Sequence, residues 1–311
     1  MATISGRKGT RALSRFVTAA IAAALIGTTA GTAVADSPAP APAAKALRDA
    51  AVAAKPQAAP RAALAAATAA APALPLFTAD KDGFAYMYEL NGHGGFKDRL
   101  PIGTGGWDSI NAATQVHDQN GQRDGWYVRA TDGTLIYTGK RGNKTIGGGW
   151  NVYDRIFSPG DLGGASDSDV LARDKSGVLW VYLSYPDGTL SDRFRVGPGW
   201  DQYTDIVGRG DLNGDGITDI VAKDRNGDLW FYKGTGDYHD PFKSRVQVGG
   251  GWDQYDTLVA TGDVDGDGRS DLLARDKASN LWLYKGNGNQ RDPFENRTRI
   301  GGGWDQYRLM F

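Results

Sequence analysis

Short runs of β-branched and aromatic residues alternate along most of the chain with Gly, Asp and Asn. Between residues 252 and 304, such runs lie at 257–260, 272–276 and 281–284, and a fourth belongs to E-N-R-T-R-I-G-G-G-W at 295–304. Runs of this length and composition, bounded by turn-forming residues, predict β-strands. No segment after residue 76 shows sustained helical periodicity, so we expect an all-β protein.

Two sequence markers recur at a nearly fixed interval. The first is G-G-W or G-P-G-W, whose tryptophans are spaced by 43, 50, 52 and 52 residues. The second is L-W-x-Y at 179–182, 229–232 and 281–284, with weaker copies A-Y-M-Y at 85–88 and L-I-Y-T at 135–138. Four short strands in about 50 residues, repeated in this way, are typical of a β-propeller blade. The tryptophans of the first marker are Trp107, Trp150, Trp200, Trp252 and Trp304.

The two ends of the repeat region complement each other. The C-terminal W-D-Q-Y-R-L-M-F (304–311) matches only a first strand, whereas L-P-L-F-T-A-D-K-D-G-F-A-Y-M-Y (74–88) matches a second and a third. Joined, they complete a fifth four-stranded antiparallel blade and close the ring without exposed sheet edges. An open β-solenoid is the alternative, but it does not explain complementary half-units. We predict a five-bladed β-propeller over residues 76–311.

Two loops in the repeat carry oxygen side chains at alternate positions and a glycine after the third. Ca²⁺ binds six to eight oxygens, and alternate residues of a tight loop can point at one ion. The predicted ligands of the first loop (211–219) are Asp211, Asn213, Asp215, the carbonyl of Ile217 and Asp219. Those of the second loop (263–271) are Asp263, Asp265, Asp267, the carbonyl of Arg269 and Asp271.

These loops are not EF-hands, because the Glu at position 12 and the flanking helices are missing. Mg²⁺ fits less well, since it prefers to keep its waters. Solvated Asp/Asn/Gly turns are the alternative, but two intact copies at one repeat position favour calcium. A calcium ion bound by the oxygens of one loop would stabilise that turn. The corresponding segments D-L-G-G-A-S-D-S-D (161–169) and D-Q-N-G-Q-R-D-G (118–125) have lost ligands, and we expect no tight calcium binding there.

The N-terminal 75 residues differ in composition. Residues 1–16 carry Arg7, Lys8, Arg11 and Arg15 and no acid, an apolar stretch follows, and A-V-A ends at residue 35. This predicts a signal peptide (1–35) and secretion. The alternative, a membrane anchor, needs an apolar stretch of about 18–20 residues, so we expect no membrane span in the mature protein. Residues 36–75, almost entirely Ala and Pro, predict a linker or docking arm.

Charge and cysteine content exclude some classes of protein. Removal of residues 1–35 changes the formal net charge from −1 to −5, and no basic run interleaves with aromatic residues, so we expect no nucleic-acid partner. The chain has no cysteine, so disulfides cannot stabilise an exported fold.

The stretch G-D-L-N-G-D-G-I-T-D-I-V-A-K-D-R-N-G-D-L-W-F-Y-K-G-T-G (210–236) resembles the FG-GAP (VCBS-type) repeats of integrin α-chain propellers and of secreted bacterial, including actinobacterial, proteins. The resemblance covers roughly 76–311, with full motifs in the last two or three blades. Integrin propellers have seven blades, whereas five blades with I-G-G-G-W and L-W-x-Y are more similar to tachylectin-type lectins, which bind N-acetylated sugars. Some related propellers resemble lectin subunits of secreted toxin assemblies. The resemblance implies structural calcium at the blade edge.

The W-D-Q-Y tetrads combine an aromatic ring with a carboxylate and an amide, the groups that recognise sugars. Packing between blades is the other use of such tryptophans, and the commoner one. The mid-strand Trp180, Trp230 and Trp282 are expected to be still more buried. Variant tetrads are W-D-S-I (107–110) and W-N-V-Y (150–153). The candidate ligand-binding residues are Trp200, Asp201, Tyr203, Trp252, Asp253, Tyr255, Trp304, Asp305 and Tyr307.

Catalysis is the least supported function. The chain has only His93, His117 and His239, no G-x-S-x-G and no cysteine nucleophile. A pair of carboxylates for glycoside hydrolysis stays open as an alternative. We expect a secreted, calcium-stabilised, non-catalytic module that binds cell-wall or cell-surface carbohydrate. A protein-binding subunit of a larger secreted complex is the second hypothesis.

Overall fold

The computed structural model describes residues 71–164 and 167–311, which form five four-stranded antiparallel sheets arranged as a propeller. The predicted signal peptide and residues 36–70 of the predicted arm lie outside the described residues. In the described part of the chain, no helix is long and apolar enough to cross a membrane.

Each blade runs from an inner first strand to an outer fourth strand, and the first strands of neighbouring blades contact one another. Blade one contains β20 (Tyr307–Met310), β1 (Leu76–Asp80), β2 (Ala85–Tyr88) and β3 (Leu100–Ile102). Blade two contains β4 (Ile110–His117), β5 (Arg123–Ala130), β6 (Leu135–Gly139) and β7 (Gly142–Gly147). Blade three contains β8 (Tyr153–Gly160), β9 (Asp169–Asp174), β10 (Leu179–Tyr182) and β11 (Phe194–Gly197). Blade four contains β12 (Tyr203–Val207), β13 (Ile220–Asp224), β14 (Leu229–Tyr232) and β15 (Val246–Gly249). Blade five contains β16 (Tyr255–Gly262), β17 (Asp271–Asp276), β18 (Leu281–Tyr284) and β19 (Thr298–Gly301).

The two chain ends close the ring as the half-unit argument predicts. Strand β20 pairs antiparallel with β1, with Thr78 opposite Met310 and Ala79 opposite Leu309. Phe77 and Phe311 exchange two backbone hydrogen bonds of 2.9 Å. The five-bladed, all-β prediction is therefore confirmed.

Each G-W marker forms the junction between two blades. The glycine before the tryptophan has a positive φ, for example 88° at Gly199, which a residue with a Cβ rarely adopts. The backbone N–H of Trp200 donates to the carbonyl of Gly177, in the turn between the second and third strands of the preceding blade, at 2.9 Å. The Trp200 ring then fills the space between the two sheets, together with Leu179 and Ile220. All five such rings are at most 7% exposed.

A buried cation on the second strand reinforces this junction. In blade three, the guanidinium of Arg173 donates to the carbonyls of Trp200 and Tyr203 of the next blade, at 2.9 and 2.6 Å. The corresponding residues of blades two, four and five also donate to the next blade, the two arginines to two carbonyls each and the lysine to the carbonyl of Tyr255 alone. They are Arg129, Lys223 and Arg275.

The boundary predicted between arm and propeller is wrong by at least five residues. Leu74 is 1% exposed and its N–H donates to the carbonyl of Thr261, and Ala73 forms a β-bridge with Gly262. A Cβ at Gly262, whose φ is 94°, would lie 1.6 Å from the carbonyl oxygen of Pro72. Residues 71–74 therefore pack against the first strand and the metal-like loop of blade five.

Ring closure generates the first prediction. Phe311 packs against Phe77 and Trp107, with ring centroids 5.8 Å apart in both pairs. Phe311→Ala should lower the free energy of unfolding by about 3–5 kcal/mol, because it leaves a cavity at the seam of the ring. Urea denaturation measures this. Phe84, which is 48% exposed, provides the control, since Phe84→Ala should cost less than about 0.5 kcal/mol. Equal effects of the two changes would contradict the role of the seam.

Candidate binding corners and metal loops

Four of the five blades carry the same aromatic cluster at their first strand. We call each cluster a corner and name it by its G-W tryptophan: corners 150, 200, 252 and 304. In corner 200, Trp200 packs on Tyr232 with centroids 4.7 Å apart, and the hydroxyls of Tyr203 and Tyr232 are 2.6 Å apart. Arg245, just before the fourth strand, donates to the Tyr203 hydroxyl. The corresponding arginines are Arg193, Arg297 and Arg99.

The same arginines cover the L-W-x-Y tryptophans. The guanidinium of Arg245 lies 3.9 Å from the ring centroid of Trp230, whose indole N–H donates to Asp224 at 2.9 Å. Trp180 and Trp282 make the same two contacts. The expectation that these mid-strand tryptophans are more buried than the G-W set is wrong, because they are only half-buried. Strand alternation points Leu229 and Phe231 into the core and leaves Trp230 on the other face, where an arginine shields it.

The W-D-Q-Y tetrads divide into buried rings and exposed carboxylates. Trp200, Trp252 and Trp304 are 6–7% exposed, and Tyr203, Tyr255 and Tyr307 are 2% exposed. Their rings therefore pack between blades and offer no open aromatic face. Asp201, Asp253 and Asp305 are exposed. Asp201 and Asp253 lie against Gly177 and Gly227 in the turns of the preceding blades.

A cavity of about 470 Å³ opens at corner 150, between blades two and three. Blade two contributes Thr145 and the backbone of 147–149, and blade three contributes Trp150, Val152 and the Tyr153–Tyr182 pair. The segment 189–193 forms the other wall and includes Asp192 and Arg193. The cavity thus combines an aromatic edge with hydroxyl, guanidinium and carboxylate groups. Sequence reasoning treated W-N-V-Y as a variant tetrad and did not single out this corner.

The second loop gathers its acids around one point. An oxygen from each of Asp263, Asp265 and Asp267 lies within 4.8 Å of the others. Asp263 is held by the N–H groups of Gly266 and Gly268 at 2.6 and 2.8 Å. Three convergent carboxylates suit a hard cation such as Ca²⁺. Arg269 is exposed and pairs with Asp267 at 3.5 Å, and Lys285 pairs with Asp265 at 2.8 Å.

The first loop has the same backbone but a different side-chain arrangement. Asp211 accepts N–H bonds from Gly214 and Gly216 at 2.7 and 2.6 Å. The Asn213 amide donates to Asp219 at 2.9 Å, and Asp215 pairs with Lys233 at 2.7 Å. The side chain of Ile217 lies against Gly234. The first loop therefore has an amide, Asn213, where the second loop has the carboxylate of Asp265, and in each loop a lysine pairs with one of the acids.

The last acid of each loop ties the loop to the third strand. Asp219 accepts N–H bonds from Leu212 and Gly234, and Asp271 accepts them from Val264 and Gly286. Burial raises the pKa of both carboxyls to about 7, and the neighbouring acids of each loop act in the same direction. Asp169 has the corresponding place in blade three, although its loop has lost other ligands, and burial raises its pKa well above the usual value. This residue therefore has a structural function of its own.

The loops and blades match a known repeat family. Residues 211–274 match the FG-GAP-like repeat. The match spans both metal-like loops and ends in β17, which confirms the resemblance for blades four and five. The similarity to tachylectin-type lectins and an actinobacterial source stay predictions.

Solved structures provide distant matches to this chain. BBS1N, in a crystal structure with ARL6DN soaked with mercury, is 13% identical over 70% of this chain and 61% of that chain, with a TM-score of 0.38. A protein of unknown function from Bacteroides caccae is 7% identical over 72% of this chain and 73% of that chain, with a TM-score of 0.35. The chain thus spans about three fifths of the length of the BBS1N structure. No curated protein sequence matches it.

The three histidines lie in different parts of the propeller. His93 is in an exposed turn, and His239 contacts the ring of Tyr238. The His117 Nε2 atom is buried. Arg209, a residue that is 3% exposed, donates to the carbonyl of Gln115 nearby. Burial and the charge of Arg209 lower the pKa of His117 to about 4. That ring is therefore neutral at physiological pH.

The shifted histidine generates a pH prediction. Since its pKa is about 4 when folded and about 6.5 when unfolded, the unfolded chain takes up a proton first as the pH falls. The contribution of the neutral His117 ring to the free energy of unfolding is therefore fully present above pH 6.5 and is lost between pH 6.5 and 4. His117→Asn should remove on the order of 2 kcal/mol of this loss, a value discounted because the ring is partly exposed. Urea denaturation at pH 7 and pH 4.5 measures the loss of stability in the wild type and in the variant. Asp219 and Asp271 also titrate in this range, but they do so equally in both proteins and cancel in the comparison. Equal losses in both would contradict the assignment.

Proposed function

We propose that this protein is a secreted, calcium-stabilised binding module for cell-wall or cell-surface carbohydrate. The observation that carries the proposal is the cavity at corner 150. Its volume of about 470 Å³ suits a small ligand such as one sugar ring. The C–H face of a sugar needs an apolar surface, and its hydroxyls need donors and acceptors. The exposed Val152 provides the first, and Asp192 and Arg193 provide the second, around one space.

The surface near the cavity supports a polar ligand. Large hydrophobic side chains that are exposed among the described residues are Phe84, Leu100 and Val152, at 46–48% exposure. Such scattered groups do not make the apolar patch of several hundred Å² that marks a protein interface. Val152 adjoins the cavity and can contact the apolar face of a ring. A protein-binding subunit therefore remains the second hypothesis and is separated from the first by experiment.

Calcium in this proposal stabilises the fold and does no chemistry. The carboxylates of Asp263, Asp265 and Asp267 would hold the ion in the second loop, and Lys285 would have to release Asp265. In the first loop, Asp211, Asp215 and Asp219 would contribute after Lys233 moves. A cation bound to the folded loop but not to the unfolded chain stabilises the protein by mass action. Secretion is proposed from the predicted signal peptide.

The metal proposal predicts a loss of calcium-dependent stability. At 1 mM calcium, Asp267→Ala should remove most of the rise in Tm that the wild type shows over its level in EDTA, because the convergent set loses one carboxylate. Differential scanning calorimetry measures the difference. Asp161→Asn, in the segment of blade three that has lost ligands, is the matched control and should leave the calcium-dependent rise unchanged. A full calcium response in Asp267→Ala would refute the metal site.

The carbohydrate proposal predicts a selective response on a glycan array. Residues 36–311 should bind a narrow set of glycans in calcium. In EDTA, binding should persist up to the temperature at which the metal-free protein unfolds, because corner 150 shares no residue with the metal loops. A blank array from folded protein would favour the second hypothesis, and a protein partner would then be sought in the culture medium of the secreting cell.

A further inference from the structure

The four corners differ at one position between the third and fourth strands. Isolated β-bridges place Phe96, Leu190, Phe242 and Phe294 at equivalent points of the four blades. Phe242 packs on Trp200 and Tyr232, with centroids 6.1 and 6.2 Å apart, and thereby covers corner 200. Phe294 and Phe96 cover corners 252 and 304 in the same way. Leu190, at corner 150, is smaller and leaves part of this space open.

A second difference lies in the third residue of the tetrad. In corner 200, Gln202 accepts a hydrogen bond from Arg245 at 2.8 Å and donates one to the carbonyl of Gly199 at 2.6 Å. Gln254 and Gln306 make the same two bonds, with Arg297 and Arg99 as donors. Corner 150 has Val152 at this position, which can make neither bond.

These two differences act on the same space. In corners 200, 252 and 304 a phenylalanine and an Arg–Gln hydrogen bond occupy this space, whereas at corner 150 a leucine and a valine line the cavity. Arg193 donates to the Tyr153 hydroxyl at 3.1 Å and stacks on Trp180 at 4.1 Å. Without a glutamine beside it, the guanidinium keeps N–H donors for a ligand. Asp192 lines the same cavity and can accept bonds from hydroxyl groups.

We propose that, of the four corners, corner 150 alone is the ligand site, and that Val152 and Leu190 are the residues that open it. This rests on the proposed function and names the site and the ligand class. The ligand is a neutral sugar ring that presents an acceptor oxygen to Arg193 and hydroxyl donors to Asp192. An acidic sugar is disfavoured, since the carboxylate of Asp192 would face its charge. The Phe- and Gln-bearing corners are structural.

The test exchanges the residues of an open and a closed corner. Methyl glycosides of glucose, galactose and N-acetylglucosamine, with methyl glucuronide as the charged probe, are titrated by isothermal calorimetry into residues 36–311 in calcium. The wild type should bind at least one neutral probe with a stoichiometry of one. The double change Val152→Gln and Leu190→Phe should weaken that binding at least tenfold. Its Tm should stay near that of the wild type, because three other corners accommodate the same pair of residues.

The reciprocal variant, which opens a second corner, should gain a site, and a gain of binding cannot result from misfolding. Gln306→Val with Phe96→Leu should leave the affinity of corner 150 unchanged and raise the stoichiometry towards two, because corner 304 gains the opening and has Asp98 before Arg99, as corner 150 has Asp192 before Arg193. Wild-type binding by the variant at 152 and 190, or a stoichiometry near four in the wild type, would overturn the assignment of a single site. Preference for methyl glucuronide would overturn the ligand class. No binding of any probe by the wild type would overturn the carbohydrate function itself, and with it this site.

Discussion

The packing of each G-W tryptophan against the preceding blade is the contact on which the rest of the structure depends. At Trp200, for example, the backbone N–H donates to a turn of the preceding blade and the ring fills the space between the two sheets. The carbonyl of Trp200 accepts a hydrogen bond from Arg173 of that same blade. A single blade of four short strands cannot bury both faces. Stability therefore comes from five such junctions, and the ring holds only if the last one closes.

The junctions also explain where binding can occur. Four blades use one aromatic and arginine cluster to support the start of the first strand, and we propose that at corner 150 this cluster and Asp192 together bind a sugar. Whether a corner can do so depends on what covers it. Phe242 and Gln202 make corner 200 part of the core, while Leu190 and Val152 leave corner 150 open. On this proposal, one copy of the repeat binds a ligand while the others hold the ring together.

Much of the fold was predictable because repetition reveals what a single motif does not. The spacing of Trp107 and its four counterparts gave the number of blades, and the half-units at 74–88 and 304–311 predicted ring closure. The acids of the second loop converge, as alternate spacing predicts. Side-chain exposure was harder, because a tryptophan in an alternating strand can face either way. Trp230 faces outward, and its cover, Arg245, lies 15 residues away in sequence. The packing of Leu74 and the cavity at Val152 depend on contacts between blades that no local pattern shows.

The most direct test is a crystal structure of residues 36–311 grown in calcium and soaked with the best-binding methyl glycoside. We expect sugar density at corner 150, in contact with Arg193 and Asp192, and no sugar at the corners of Trp200, Trp252 and Trp304. Sugar density at one of those three corners, or only elsewhere on the propeller, would contradict it.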